Sequence, residues 1–183
     1  MPETQPKLAA LHLALAHEMS DDVATATTDG KRLTFVQRSE AITRGRYNAF
    51  LSIYAQIQDP HKFAELFPDY LIYTSQTAAA LDDSVHVVLK ATVSNVTYEP
   101  IPVGKFITAR GNYSNFNGFE QIGNALYFSK LSSQPTTVTA LYIRCPVEVT
   151  YTGSGTDIPE KTYMRSIILQ EAVKIAEGMI QTQ

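Results

Sequence analysis

The residues best suited to chemistry are four histidines, two aspartate pairs, a Gly/Ser loop and a run of arginines. His17-Glu18-Met19-Ser20-Asp21 comes nearest to a metal site. Two histidines four apart on a helix, with a glutamate between them, hold zinc and supply a general base. Position 21 is Asp, so the second imidazole is missing and the segment reads as the polar end of a helix. His12, His61 and His86 have no His or Cys at ligand spacing, and His86 reads as a sheet-surface residue. Gly153-Ser154-Gly155-Thr156 has no lysine to complete a phosphate loop. Asp157 and Glu160 oppose anion binding at a helix start just beyond it, so it reads as a loop. No Gly-x-Ser-x-Gly elbow is present. Asp21-Asp22 and Asp82-Asp83 sit where carboxylates cap or solvate turns. Cys145 is the only cysteine, which excludes an internal disulfide, and Arg144-Cys145-Pro146 reads as a packing position at a strand end. The expectation is a chain without catalytic residues, metal or cofactor.

Arg38, Arg44 and Arg46, with Lys31 and Arg32 just upstream, form the one local cationic cluster in the sequence. On a helix, positions 38 and 46 lie about two turns apart, so the three predict an exposed stripe. The plain reading is a solvated face; the functional one is contact with an acidic partner or with passing DNA. A net charge of −3 argues against affinity built on phosphate neutralisation, though it suits a channel that DNA must slide through. The aromatics do not interleave with basic residues as in a stacking platform. The opening Met1–Pro6 has no basic segment followed by an apolar run, and no stretch of about 18 apolar residues occurs, so a soluble protein made inside the cell, with no membrane partner, is expected. Asn95-Val96-Thr97 and Asn112-Tyr113-Ser114 then match the glycosylation pattern by chance.

The elements that must position these residues follow from periodicity. Leu8, Leu11, Leu15 and Met19 predict a first helix, started by Pro6 and ended by Ser20-Asp21-Asp22. Thr34-Phe35-Val36-Gln37 fits a capping box for a second helix running to about Gln58, with Ile42, Ala49, Phe50, Ile53 and Ile57 on its apolar face. Asp59-Pro60 restarts a short helix carrying Phe63, Leu66 and Phe67, which Pro68 ends. Leu71–Thr74, Val85–Leu89 and Lys105–Thr108 are β-type runs. Leu126–Phe128 and Thr137–Arg144 are expected to pair as a hairpin with a long loop. A closing helix is predicted with Asp157 as its cap and Pro159 and Glu160 in its first turn, and Met164, Ile167, Ile168, Ala172, Ile175, Met179 and Ile180 on one face. The fold class is therefore α+β: N-terminal helices, a small mostly antiparallel β-sheet and a C-terminal amphipathic helix. The expected organisation is one domain over 1–183, mainly helical over 1–70, β-rich over 71–150 and helical over 157–181.

The last third of the chain resembles a known family in its wording. Gly123-Asn124-Ala125-Leu126-Tyr127 matches a "Gly-Asn-x-Leu-Tyr" strand, and Leu141-Tyr142-Ile143-Arg144-Cys145-Pro146 a "Leu-Tyr-Tyr-x-x-Pro"-like strand. Asp157-Ile158-Pro159-Glu160 matches an "Ile-Pro-Glu" lead into a helix with alanines, here Ala172 and Ala176. In these words, and in the order of elements before them, the chain is similar to the head–tail adaptor (connector, neck-ring) proteins of tailed bacteriophages. The resemblance implies a structural virion protein and not an enzyme: copies of the chain form a ring that joins the portal protein to the tail or stopper protein and extends the DNA channel. It implies residence in the virion neck, and in the host cytoplasm before assembly. It also implies protein contacts through the last helix and its lead, represented by Tyr163, Arg165, Lys174 and Gln183. Transient contact with passing DNA would fall to Arg38, Arg44 and Arg46. The competing class is a small soluble α+β ligand-binding or enzymatic domain with a site assembled from distant residues.

Overall fold

The computed structural model describes residues 7–101, 117–131, 133–153, 155–161 and 164–182. The predicted strand at Lys105–Thr108 lies outside the described residues. The chain is α+β, and its contacts divide it into a helical unit, made from the stretch up to Gln56 and that from Pro146 onward, and a β unit over Ile57–Cys145.

In the helical unit, α1 (Leu8–Glu18) buries Leu8, Leu11 and Leu15 on one stripe, as the spacing predicts, together with His12 and Ala16. Its end is a Schellman motif: the Asp21 amide donates to the Ala16 carbonyl at 2.8 Å, and that of Ser20 to His17 at 3.0 Å. Ser20 takes the left-handed conformation the motif demands, at φ 54°. Helix α2 (Phe35–Ile57) starts on the expected capping box: the Thr34 amide donates to Gln37 Oε1 at 2.9 Å, and the Gln37 amide to Thr34 Oγ1 at 3.3 Å. The last helix, α4 (Arg165–Gln181), buries Ile168, Ala172 and Ala176. It begins later than the sequence predicts. Asp157 bridges Lys7 in extended backbone, and Glu160 points into the interior, so neither caps a helix.

Gly45 lets α2 and α4 touch backbone to backbone. A Cβ there would lie 2.8 Å from the Ala172 amide nitrogen and 2.9 Å from the Ile168 carbonyl oxygen, contacts that no side-chain rotation relieves. Gly45→Ala is expected to force the helices apart and lower stability by about 1–2 kcal/mol, although alanine is the better helix former. Thermal unfolding followed by circular dichroism reads it; an unchanged or raised midpoint contradicts the close crossing.

In the β unit, α3 (Pro60–Leu66) is capped by Asp59, whose side chain accepts from the His61 and Lys62 amides. Phe63, Phe67 and Tyr70 cluster behind it, with ring centroids 4.8–6.5 Å apart. Leu66, expected to pack with them, is 52% exposed, because the short helix turns only its Phe63 side inward. Six strands follow: β1 (Leu71–Thr77), β2 (Val85–Val93), β3 (Val96–Pro100), β4 (Gly118–Ile122), β5 (Ala125–Phe128) and β6 (Thr137–Arg144). Their order in the sheet is β1-β6-β2-β3-β4-β5, antiparallel except for the β3/β4 pair.

The predicted β5–β6 hairpin is not formed. β5 pairs with β4 across the tight Gly123-Asn124 turn, with Gly123 at φ 57°, while β6 inserts between β1 and β2 and uses both its edges. The local partner wins β5 because closing a two-residue turn costs less chain entropy than closing the 129–136 loop. β2 and β3 join through Ser94 and Asn95, both at positive φ, the pattern of a type I′ turn. The sheet curls: the segment after β1 bonds to the outer edge of β5, Leu126 N–H to Ala78 O and Leu81 N–H to Asn124 O, each 2.7 Å. Its concave face is filled by alternate residues such as Val138, Ala140 and Tyr142 of β6, with Tyr98 edge-on to Phe128 at 5.0 Å.

Candidate functional site

The arginines expected to share an exposed stripe do not. Arg38 and Arg46 are 0% and 1% exposed, and only Arg44 faces solvent, ion-paired to Glu40 one turn back at 2.6 Å. Arg38 meets the loop that precedes its helix and Arg46 meets groups more than a hundred positions away, and these partners explain why a basic residue lies inside.

Arg38 and Asp21 together order the loop between α1 and α2. The Arg38 guanidinium donates to the carbonyls of Leu33 (2.9 Å), Ala26 (3.3 Å) and Thr28. Asp21 does the converse: its carboxylate accepts the amides of Lys31 (2.6 Å), Arg32 (3.2 Å) and Leu33 (3.0 Å). Gly30 is required beside it, since a Cβ there would fall 1.8 Å from Asp21 Oδ2. Burial raises the Asp21 pKa, but the three amides and the Arg38 charge outweigh it and hold the group below the usual carboxylate range. Asp21→Asn keeps the shape but loses the charge, and is expected to cost about 1–2 kcal/mol, read as a lower urea midpoint at neutral pH. The same midpoint in both proteins would show that the charge contributes nothing.

Arg46 reaches the lead into α4. Its Nε donates to Glu160 Oε1 at 2.8 Å, its Nη1 to the Val147 carbonyl at 2.8 Å, and its Nη2 lies 2.7 Å from the same carboxylate. Both contacts fall on the one oxygen, Oε1, in an ion pair between side chains 2% and 0% exposed.

A cleft of 280 Å³ opens between α1, the first half of α2 and residues 148–151. Leu8, Val36, Ile42 and Val149 supply apolar walls, Ser39 and Thr43 hydroxyls one turn apart, and Arg46 and Glu148 the charged groups. Three rings line it. The His12 imidazole stacks on Phe35 at 4.9 Å and 27°, and Tyr151 stands edge-on to both, at 6.0 and 5.8 Å. His12 is fully buried, and neither of its ring nitrogens has a hydrogen-bond partner. Burial, with the Arg38 charge behind it, lowers its pKa to about 4, so the ring is neutral at physiological pH. The sequence gives no sign of this, because His12 sits on the apolar stripe of α1 and its neighbours come from positions 35 and 151.

The interface positions expected in α4 divide. Arg165 is half-buried at the first turn, and Lys174 is exposed and paired to Glu171 at 2.6 Å, while Tyr163 and Gln183 lie outside the described residues. His86 is half-buried on β2 and lines a second hollow with Gln121 and Phe119, so it is not a plain sheet-surface residue. Among the described residues no group of three or more His, Cys, Asp or Glu could hold a metal ion, and no helix is long and apolar enough to cross a membrane. No protein-family model matches the chain, and no curated protein matches it.

Proposed function

We propose that this chain is a structural subunit of a bacteriophage neck, a head–tail connector whose copies form a ring between the portal protein and the tail or stopper. The observation that carries this reading is where the family's wording falls in the fold. Gly123 makes the β4–β5 turn, and Leu141–Cys145 covers the end of β6, between β1 and β2, where the chain leaves the β unit. The Asp157–Glu160 lead delivers Glu160 to Arg46 ahead of α4.

In this reading neighbours in the ring would cover Val36 (71%), Tyr47 (42%) and Leu13 (43%), exposed on the helical unit, and Tyr73 (66%) on β1. DNA contact narrows to Arg44, since Arg38 and Arg46 are occupied inside. In this reading the mechanism is assembly: docking orders the surface, the portal and tail bind in sequence, and DNA passes through without sticking.

Quantitative mass spectrometry of purified particles tests it. The chain is expected in intact particles at a fixed low copy number comparable to the portal's; its absence, with free protein in the lysate, overturns the connector. Lys174→Glu changes an exposed position and is expected to leave thermal stability within about 0.5 kcal/mol. Incorporation into particles is expected to fall severalfold. Full incorporation of that variant removes Lys174 from the interface.

A further inference from the structure

Beyond assembly into a ring, the open edge of the sheet has a partner of its own. An edge strand presents a row of unpaired N–H and C=O groups, and chains block it with lysine, proline, a bulge or a covering segment. One edge of this sheet is covered: the segment after β1 bonds along β5, where the Leu126 amide donates to the Ala78 carbonyl. The other edge is β1, and it carries none of these devices. Leu71-Ile72-Tyr73-Thr74-Ser75-Gln76-Thr77 has no charge and no proline, and its register with β6 runs without a shift. Tyr73, Thr74 and Ser75 are exposed.

The ladder decides which backbone groups are open. The Ala78 amide donates to the Thr136 carbonyl at 3.0 Å, one step beyond the Thr77–Thr137 pair. Antiparallel ladders alternate, so Ile72, Thr74 and Gln76 bond to β6, while Leu71, Tyr73, Ser75 and Thr77 turn their groups outward. Two outward groups are spent locally: the Leu71 amide on the Pro68 carbonyl, and the Thr77 carbonyl on the Ala80 amide at 3.2 Å. Among the described residues nothing bonds to the rest, the amides of Tyr73, Ser75 and Thr77 and the carbonyls of Leu71, Tyr73 and Ser75.

This set is complementary to itself. Two copies of β1 laid antiparallel about an axis at Thr74 bring partial positive and partial negative groups together throughout. Each Tyr73 amide faces a Ser75 carbonyl, each Ser75 amide a Tyr73 carbonyl, and each Thr77 amide a Leu71 carbonyl. The spent groups face each other, and no open donor or acceptor is left over. Sliding one copy by two residues in either direction aims an open group at a spent one. On the axis Thr74 meets Thr74, a pair that stabilises sheets, where a charged residue would meet its own charge.

We infer that β1 pairs with β1 of a second copy, antiparallel and centred on Thr74, joining the two sheets edge to edge. A twofold pair closes on itself, so this is the form of chains outside a ring, and it does not rest on the connector reading.

Sedimentation equilibrium of the full-length chain across a concentration series tests it. The contact is one strand wide, smaller than a usual stable interface, so a dimer is expected with a Kd on the order of 50 µM. Hydrogen exchange at the Tyr73 and Ser75 amides should slow as the dimer fills, while the Thr74 and Gln76 amides, bonded to β6, stay protected at every concentration. Ser75→Pro removes an outward N–H that β6 does not use, and is expected to weaken the dimer by about tenfold with circular dichroism unchanged. Thr74→Lys and Thr74→Glu place like charges across the axis, so each alone should be monomeric. Mixed in equal amounts, the two should pair at least as tightly as the native chain. A native chain that stays monomeric to about 1 mM overturns the inference. So does a dimer that Thr74→Lys and Ser75→Pro both leave intact, or a charged mixture that pairs no better than its components. The particle experiment bears on none of these outcomes.

Discussion

Replacing Arg46 by methionine is expected to cost about 3–5 kcal/mol, the largest single effect of any side chain considered, because it removes the guanidinium that faces the buried Glu160 carboxylate. Both side chains are closed to water, and the guanidinium meets one oxygen of the carboxylate at 2.7–2.8 Å. Removing one partner takes away the opposite charge that offsets the other's desolvation. Removing both leaves nothing to offset. The double substitution Arg46→Met with Glu160→Leu is expected to recover most of the loss, since two well-packed apolar side chains avoid desolvating any charge. Urea unfolding followed by far-ultraviolet circular dichroism gives the four corners of the cycle. A double variant as unstable as the single one would show that Arg46 stabilises the unit through its bond to the Val147 carbonyl and its aliphatic stem, and not through the ion pair.

The same pair explains which parts of the fold were legible in the sequence. Features closed within a few residues were readable, because their chemistry is local: the Thr34/Gln37 box, the short helix restarted at Asp59-Pro60 and the leucine stripe of α1 all formed as the sequence predicts. Arg38 and Arg46 were misread as an exposed stripe because helical periodicity states which residues share a face, not what that face meets. Their partners stand up to 114 positions away. Glu160 was misread for the complementary reason: an acidic residue after a proline is the ordinary signature of a helix start, and here the tertiary partner overrides it. The strand types were legible from branched and aromatic residues, but the placing of β6 between β1 and β2 was not, since nothing in a strand's own residues names its neighbours. Gly45 carries no local signal either; its meaning appears only when Ala172 is brought against it. The candidate cleft was the least legible of all, assembled from positions 8–12, 35–46 and 148–151.

Acid is expected to destabilise the native protein through His12 well above the range where carboxylates titrate. In the folded chain the imidazole titrates at about 4, against an ordinary value of 6.5, because burial and the nearby Arg38 both oppose its charge. Between those values the unfolded chain binds a proton that the folded chain refuses, so stability rises with pH there. The contribution is fully present above pH 6.5, is lost progressively as pH falls, and is gone near pH 4. The shift corresponds to an expected loss of about 2–3 kcal/mol. Asp21 does not add to it in this window, because its pKa is depressed and its contribution disappears only at lower pH. His12→Phe keeps a ring against Phe35 and Tyr151 without a titrating group. Its stability should therefore vary less between pH 6.5 and 4 than the native protein's, by that same amount, and exceed it at pH 4. Parallel stability curves for the two proteins across this window would mean that the imidazole finds a proton acceptor on acidification.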